Sequence, residues 1–160
     1  MNIAIVYYSY SGNTHKAAQN VAEVLGANNS VNCLRVEAAG ESSNFFAQCL
    51  KGLAKKKTPI APIETNLSGY ETIIFATPVW AREMVPAMRE FLDKAEGLRD
   101  KRAAAFVTYG SGFGKEHCLD SMQAFLEKKG AKFIGRFSIS QFKVKDKEFI
   151  QGLVKENVRL

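Results

Sequence analysis

Apolar positions along the chain alternate between two spacings, and the switch from one to the other marks the elements. Ile3-Ala4-Ile5-Val6-Tyr7-Tyr8 is an unbroken apolar run closed by a Ser/Gly cluster. Its length and setting predict a strand buried on both faces. Thr14–Leu25 then takes helical spacing, with Ala17, Ala18, Val21, Ala22 and Leu25 on one stripe and Gly26 placed to end it. Val31–Val36 reads as a second strand and Asn44–Lys55 as a helix whose last turn runs into three lysines, favourable at a helix C-terminus. A third strand, Thr72–Ala76, stops at Thr77-Pro78 and precedes a helix over Pro86–Ala95. Ala103–Thr108 is a fourth strand, Glu116–Lys129 a helix closed by Gly130, Phe133–Ile139 a fifth strand and Lys147–Val158 a final helix.

Five strands alternating with five helices predict an α/β domain, a doubly wound parallel sheet with helices on both faces. Right-handed crossovers leave few topologies for it. Such sheets take ligands beyond the carboxyl ends of their strands, where the strand order reverses. The loops after the first, third and fourth strands are therefore the ones to inspect, and they are the most unusual stretches of the sequence.

The 160 residues are expected to form a single domain spanning 1–160, long enough for a full core, and 46% apolar with 24% charged residues is ordinary for a globular protein. No run reaches the length of a membrane span, and no signal peptide is visible at the N-terminus. Three cysteines without C-x-x-C spacing point to a reducing compartment, so a cytoplasmic setting without membrane contact is expected.

The first loop, Ser9-Tyr10-Ser11-Gly12-Asn13-Thr14, offers three hydroxyls, an amide and a glycine at the start of a helix. Free N–H groups and the helix dipole make such a place an anion site without any lysine. Taken alone, a Ser/Gly/Asn/Thr run is also what a turn with an N-cap needs. The longer pattern Tyr7-Tyr8-Ser9-Tyr10-Ser11-Gly12-Asn13-Thr14, then Ala18 and Val21, resembles the flavodoxin signature. The resemblance implies a flavodoxin-like fold with strand order 2-1-3-4-5. It further implies that Ser9, Tyr10, Ser11, Gly12, Asn13 and Thr14 hold the phosphate of flavin mononucleotide (FMN).

The second loop, Thr77-Pro78-Val79-Trp80-Ala81-Arg82, contains the only tryptophan and, with Pro86 and Phe91-Leu92 after it, resembles the flavin-wrapping segment of small flavodoxin-like proteins. Taken alone, a Trp in such a loop either offers its face to a planar ring or lies partly buried over the adjacent helix. In those proteins the aromatic stacks on the flavin ring. Many flavodoxins carry glycine just after it, so that a peptide can turn over toward flavin N5. This chain has Ala81-Arg82, and a non-glycine residue needs about 1 kcal/mol to reach positive φ. Arg82 has two readings: a cation near the flavin pyrimidine that stabilises its reduced anion, or a solvated arginine beside Glu83. The third loop, Tyr109-Gly110-Ser111-Gly112-Phe113, resembles the segment whose backbone amides meet the flavin pyrimidine, with Tyr109 and Phe113 as alternative second stacking faces.

His117 and Cys118 adjoin without partners at metal-ligand spacing, so no metal is expected. The resemblance implies an electron-transfer flavoprotein passing electrons between redox partner proteins. Electron-shuttling flavodoxins are usually acidic, so a net charge of +6 implies either acidic partners or a role other than a shuttle. One alternative is an FMN-dependent NAD(P)H:quinone-type oxidoreductase of the same fold. Another is a non-catalytic flavodoxin-like domain binding acidic partners. Lysines scattered over several elements, with few interleaved aromatics, speak against nucleic acid.

Overall fold

A computed structural model describes residues 1–39 and 58–160 of the chain; the helix expected over 44–55 lies outside them. Strand β1 (Asn2–Tyr8) leads into α1 (Asn13–Gly26) and β2 (Ser30–Val36). After the segment that is not described come β3 (Thr72–Trp80), a two-residue β4 (Glu83–Met84) and α2 (Pro86–Lys94). The chain continues through β5 (Arg102–Tyr109), α3 (Lys115–Lys128), β6 (Lys132–Ser140) and α4 (Lys147–Asn157).

The sheet runs β2-β1-β3-β5-β6, all parallel. These are the five strands the sequence predicts, in the order 2-1-3-4-5 once β4 is set aside. β4 pairs antiparallel with the end of β3, Val79 opposite Met84 and Trp80 opposite Glu83. The third strand therefore does not stop at Thr77-Pro78. It continues through Trp80 because the expected loop folds back as a hairpin on its own strand.

Alternation along the buried strands sorts their side chains onto two faces. Ile3, Ile5, Ile74, Ala104 and Phe106 pack under α1 and α4, which contribute Ala17, Val21, Leu25, Ile150 and Val154. Ala4, Val6, Ile73, Phe75, Ala105 and Val107 pack on the other face under α2 and α3, against Met88, Phe91, Leu92, Met122 and Leu126. The last strand is continuous, with one irregularity where Ala103 faces Phe133 and Ala104 faces Gly135.

From β1 the order steps one way to β2, while β3, β5 and β6 step the other way. The carboxyl ends of β1 and β3 flank that reversal. Helices α1, α3 and α4 begin at the same edge, so the three loops singled out in the sequence meet there. Among the described residues no helix is long and apolar enough to cross a membrane.

Candidate functional site

The loop after β1 leaves polar groups open in a buried place. Ser9 is 4% exposed, and its Oγ has no hydrogen-bond partner among the described residues. Gly12 caps α1 at φ 88° in the left-handed region, with no side-chain hydrogen bond to the helix start. A Cβ at Gly12 would meet nothing within 4 Å, so the glycine supplies conformation rather than clearance. The first bond back into the helix is Lys16 N–H to the Gly12 carbonyl at 2.9 Å. The N–H groups of Asn13, Thr14 and His15 thus have no acceptor within α1.

Not every predicted hydroxyl is equally open. Asn13 Nδ2 donates to Ser11 Oγ at 3.2 Å, which ties the two exposed polar groups together. Thr14 Oγ1 is buried and shares a 2.7 Å hydrogen bond with Thr108 Oγ1 of β5. Behind the loop, Tyr7 OH and His15 Nδ1 lie 2.7 Å apart. Burial pushes the Tyr7 phenol above its ordinary range, with Cys33 adding to that and Arg35 opposing it.

The hairpin after β3 places Trp80 differently from an exposed stacking platform. Trp80 is 5% exposed, with Tyr8 and Tyr10 edge-on to its ring at centroid distances of 5.9 and 5.8 Å. It forms a wall continuous with the core. Thr77 is buried and closes the hairpin base, its Oγ1 accepting from Val85 N–H at 3.4 Å and donating to the Pro78 carbonyl at 3.1 Å. The turn residues Ala81 and Arg82 have φ of 48° and 71°. Two consecutive positive φ values are what a tight hairpin turn of this hand requires, and Asn-Gly is its usual sequence. Two L-residues with Cβ atoms held there cost about 1 kcal/mol each.

Buried Glu83 follows the turn. Its carboxylate accepts from Arg89 Nη2 at 2.9 Å and from Ser121 Oγ at 3.3 Å, and lies 3.4 Å from His117 Nδ1. Cys118 sits in the same place, where burial, reinforced by the Glu83 carboxylate, pushes its thiol up to about 12. A thiol held that high is an unreactive packing group.

The loop after β5 packs against this hairpin. Gly114 starts α3 at φ 76°, and a Cβ there would overlap the Cα, Cβ and Cγ of Arg82. The Arg82 guanidinium lies 5.4 Å from the Phe113 ring centroid, and Lys115 Nζ lies 4.8 Å from that of Tyr109. Phe113 is 72% exposed, whereas Tyr109 is half-buried.

The loops enclose a cleft of about 190 Å³. Ser11 and Asn13 line it from the first loop, Pro78, Val79 and Trp80 from the second, Tyr109 and Gly110 from the third. Ser9, Tyr10, Gly12, Thr14, Thr77, Ala81, Arg82, Ser111, Gly112 and Phe113 belong to the same loops but do not line the cleft. Thr108 and Gln141 do line it, although no motif marks them. Thr108 arrives through strand register, and Gln141 because its N–H donates to the Tyr109 carbonyl at 2.8 Å, which brings the loop after β6 alongside. A larger groove of about 230 Å³ between α1 and α4, lined by Val24, Ala27 and Gln151, receives no residue from these loops. The loop cleft is where polar groups from all three loops converge.

Solved structures with this fold include a flavoprotein in complex with FMN from Lactobacillus acidophilus NCFM, 18% identical, covering 92% of this chain and 98% of that one at a TM-score of 0.69. Oxidised flavodoxin 1 from Bacillus cereus is similar at 19% identity, 97% and 98% coverage and a TM-score of 0.65. Two-electron reduced Megasphaera elsdenii flavodoxin is similar at 22% identity, 96% and 98% coverage and a TM-score of 0.62. The family model for NADPH-dependent FMN reductase matches residues 1–143, which include all three loops. The chain belongs to that family, a flavodoxin-like FMN-binding family.

Proposed function

We propose that this protein binds FMN at the loop cleft and passes electrons between redox partner proteins. The observation that carries the reading is the buried, partnerless Ser9 hydroxyl beside an uncapped, glycine-started helix. A buried polar group without a partner is unfavourable by about 1–3 kcal/mol, and a phosphate oxygen would relieve it. Ser9, Ser11 and Asn13 supply side-chain donors for the phosphate, and Gly12 keeps the α1 N–H groups turned toward it. Thr14 contributes its N–H and anchors the loop to β5 through Thr108. Pro78–Trp80 and Tyr109–Gly110 form the two walls for the flavin ring, with Thr77, Ala81, Arg82, Ser111, Gly112 and Phe113 supporting them from the same loops and Tyr10 backing Trp80. Bound FMN supplies the redox chemistry, and the protein supplies position, shielding and electrostatics.

The placing of the basic side chains bears on the partner. Lys129 Nζ donates to the Asp93 and Ala95 carbonyls at 2.7 and 2.9 Å, and Lys101 to the Ser68 carbonyl at 2.7 Å. These lysines act as struts. At the cleft, Arg82 and Lys115 lie over aromatic rings, and Phe113 and Phe142 are 72% and 82% exposed. Exposed aromatics among cations suit an acidic redox protein. The free thiol of exposed Cys33 suits a reducing compartment, the cytoplasm.

Titrating FMN into purified protein while following Trp80 fluorescence tests the cofactor. One-to-one saturable binding is expected, and a flat titration overturns the reading. The family match favours a second reading, direct reduction by NADPH with onward transfer to a quinone-type acceptor. NADPH consumption by the FMN-loaded protein with a quinone present, at turnover rates, would make it an enzyme; none would leave the carrier.

A further inference from the structure

We infer that His117 and Glu83 are positioning residues that hold the left-handed Ala81–Arg82 turn and, through it, set the spacing of the two cleft walls. The inference extends the proposed FMN site, and one arm of its test is independent of that site. Glu83 leaves the turn directly, and Arg82 contributes its carbonyl at the tip. His117 Nδ1 lies 3.1 Å from the Arg82 carbonyl oxygen and 3.4 Å from Glu83 Oε1. Both neighbours are acceptors only, so Nδ1 carries the hydrogen; it donates to the Arg82 carbonyl, and the Glu83 carboxylate lies beside it at ion-pair distance. Arg89 from α2 and Ser121 from α3 hold the other Glu83 oxygen at 2.9 and 3.3 Å. The turn is thereby tied to both helices of that face.

The tie reaches both walls. Val79 and Trp80, directly before the turn, line the cleft from β3. Arg82 fills the space where Gly114 lacks a side chain and lays its guanidinium over Phe113. A turn that relaxed out of positive φ would withdraw Arg82 from Gly114 and loosen the loop after β5. Strained backbone persists where its surroundings over-determine it, and the His117–Glu83 contact is that surrounding here.

The test is a cycle between clamp and turn. In the native turn, His117→Ala is expected to weaken FMN binding about tenfold. His117→Asn, which sets an amide N–H at the same distance from the backbone, is expected to restore it to within about threefold. The pair Ala81→Asn and Arg82→Gly installs residues that adopt this turn unaided. In that background His117→Ala is expected to change affinity by less than about twofold. Equal losses in both backgrounds, or no rescue by asparagine, would overturn the clamp. Should the native protein bind no FMN, the cofactor reading fails, and the cycle is read by thermal melting of the protein alone. A larger drop in Tm from His117→Ala in the native turn than in the Asn-Gly turn supports the clamp, and equal drops overturn it.

Discussion

Helices α1 and α4 pack on the same face of the sheet and start at the same edge, yet their N-termini are finished in opposite ways. Asp146 caps α4, accepting from Phe149 N–H at 3.1 Å and from Lys143 Nζ at 2.8 Å. The Lys143 hydrogen bond, then that of the Phe149 N–H, holds the Asp146 carboxyl below the usual carboxylate range. α1 has Gly12 in place of a capping side chain, and beside it the Ser9 hydroxyl is buried without a partner among the described residues. The helices themselves are of similar build, each with one apolar stripe on the sheet. Helices α2 and α3 also start without a capping side chain. What sets α1 apart is the buried Ser9 hydroxyl beside its open N–H donors, a combination suited to an external anion.

The comparison can be broken most forcefully by giving α1 the ending of α4. Gly12→Asp has room for its side chain, and aspartate tolerates the left-handed region better than most residues. Its carboxylate would occupy the anion's place. FMN affinity is expected to fall about 100-fold, about 2.7 kcal/mol, with folding retained. Calorimetric titration checks it, and unchanged affinity would remove the phosphate from this loop.

Thr14→Val tests the anchor beneath the open start. It strands the buried Thr108 hydroxyl and is expected to destabilise the fold by about 2 kcal/mol in urea unfolding. Adding Thr108→Val should recover most of that, since no polar atom is then left alone. A double variant as unstable as the single one would mean that the hydrogen bond is not the cause.

Ser9→Ala separates binding from stability by sign. Removing an unsatisfied buried hydroxyl should leave the FMN-free protein as stable or up to about 1 kcal/mol more stable. The same change should weaken FMN binding about tenfold, about 1.4 kcal/mol. Lower stability with unaltered affinity would assign the hydroxyl to the fold instead.

The smallest effect belongs to the closed end. The Asp146 pKa is lowered in the folded state, so its contribution is present above the usual carboxylate pKa and is lost as pH falls through the lowered value. Asp146→Asn keeps the cap acceptor but removes this dependence, so its melting temperature should fall less than the native protein's across that acidic window. The group is exposed, so added salt should shrink the difference. FMN affinity at neutral pH should not move, and a change there would erase the distinction between the two helix starts.

Much of this arrangement is legible in local sequence. The apolar run before Ser9 and the stripe after Asn13 place a strand and a helix, and Gly12 between them marks the open cap. The hairpin at Val79–Met84 is not legible, because Ala81-Arg82 lacks the Asn-Gly that ordinarily announces such a turn. Its conformation is imposed by Gly114, His117 and Glu83, contacts that local propensity does not encode. A buried Trp80 is one of the two readings its loop allows, and the choice depends on Tyr8 and Tyr10 arriving edge-on from another strand end.

By itself the sequence determined the alternation of strands and helices, the parallel sheet and the three loops at its carboxyl edge. Hydrophobic period and turn residues are local properties, and they suffice for that. Only the tertiary structure decided which polar groups stay open. Thr14 and Ser9 look alike in the loop, but one hydroxyl meets Thr108 from a strand 94 positions away and the other finds no hydrogen-bond partner among the described residues. Satisfaction of a buried hydrogen bond depends on the partner that folding brings within reach, and spacing along the chain does not carry that information.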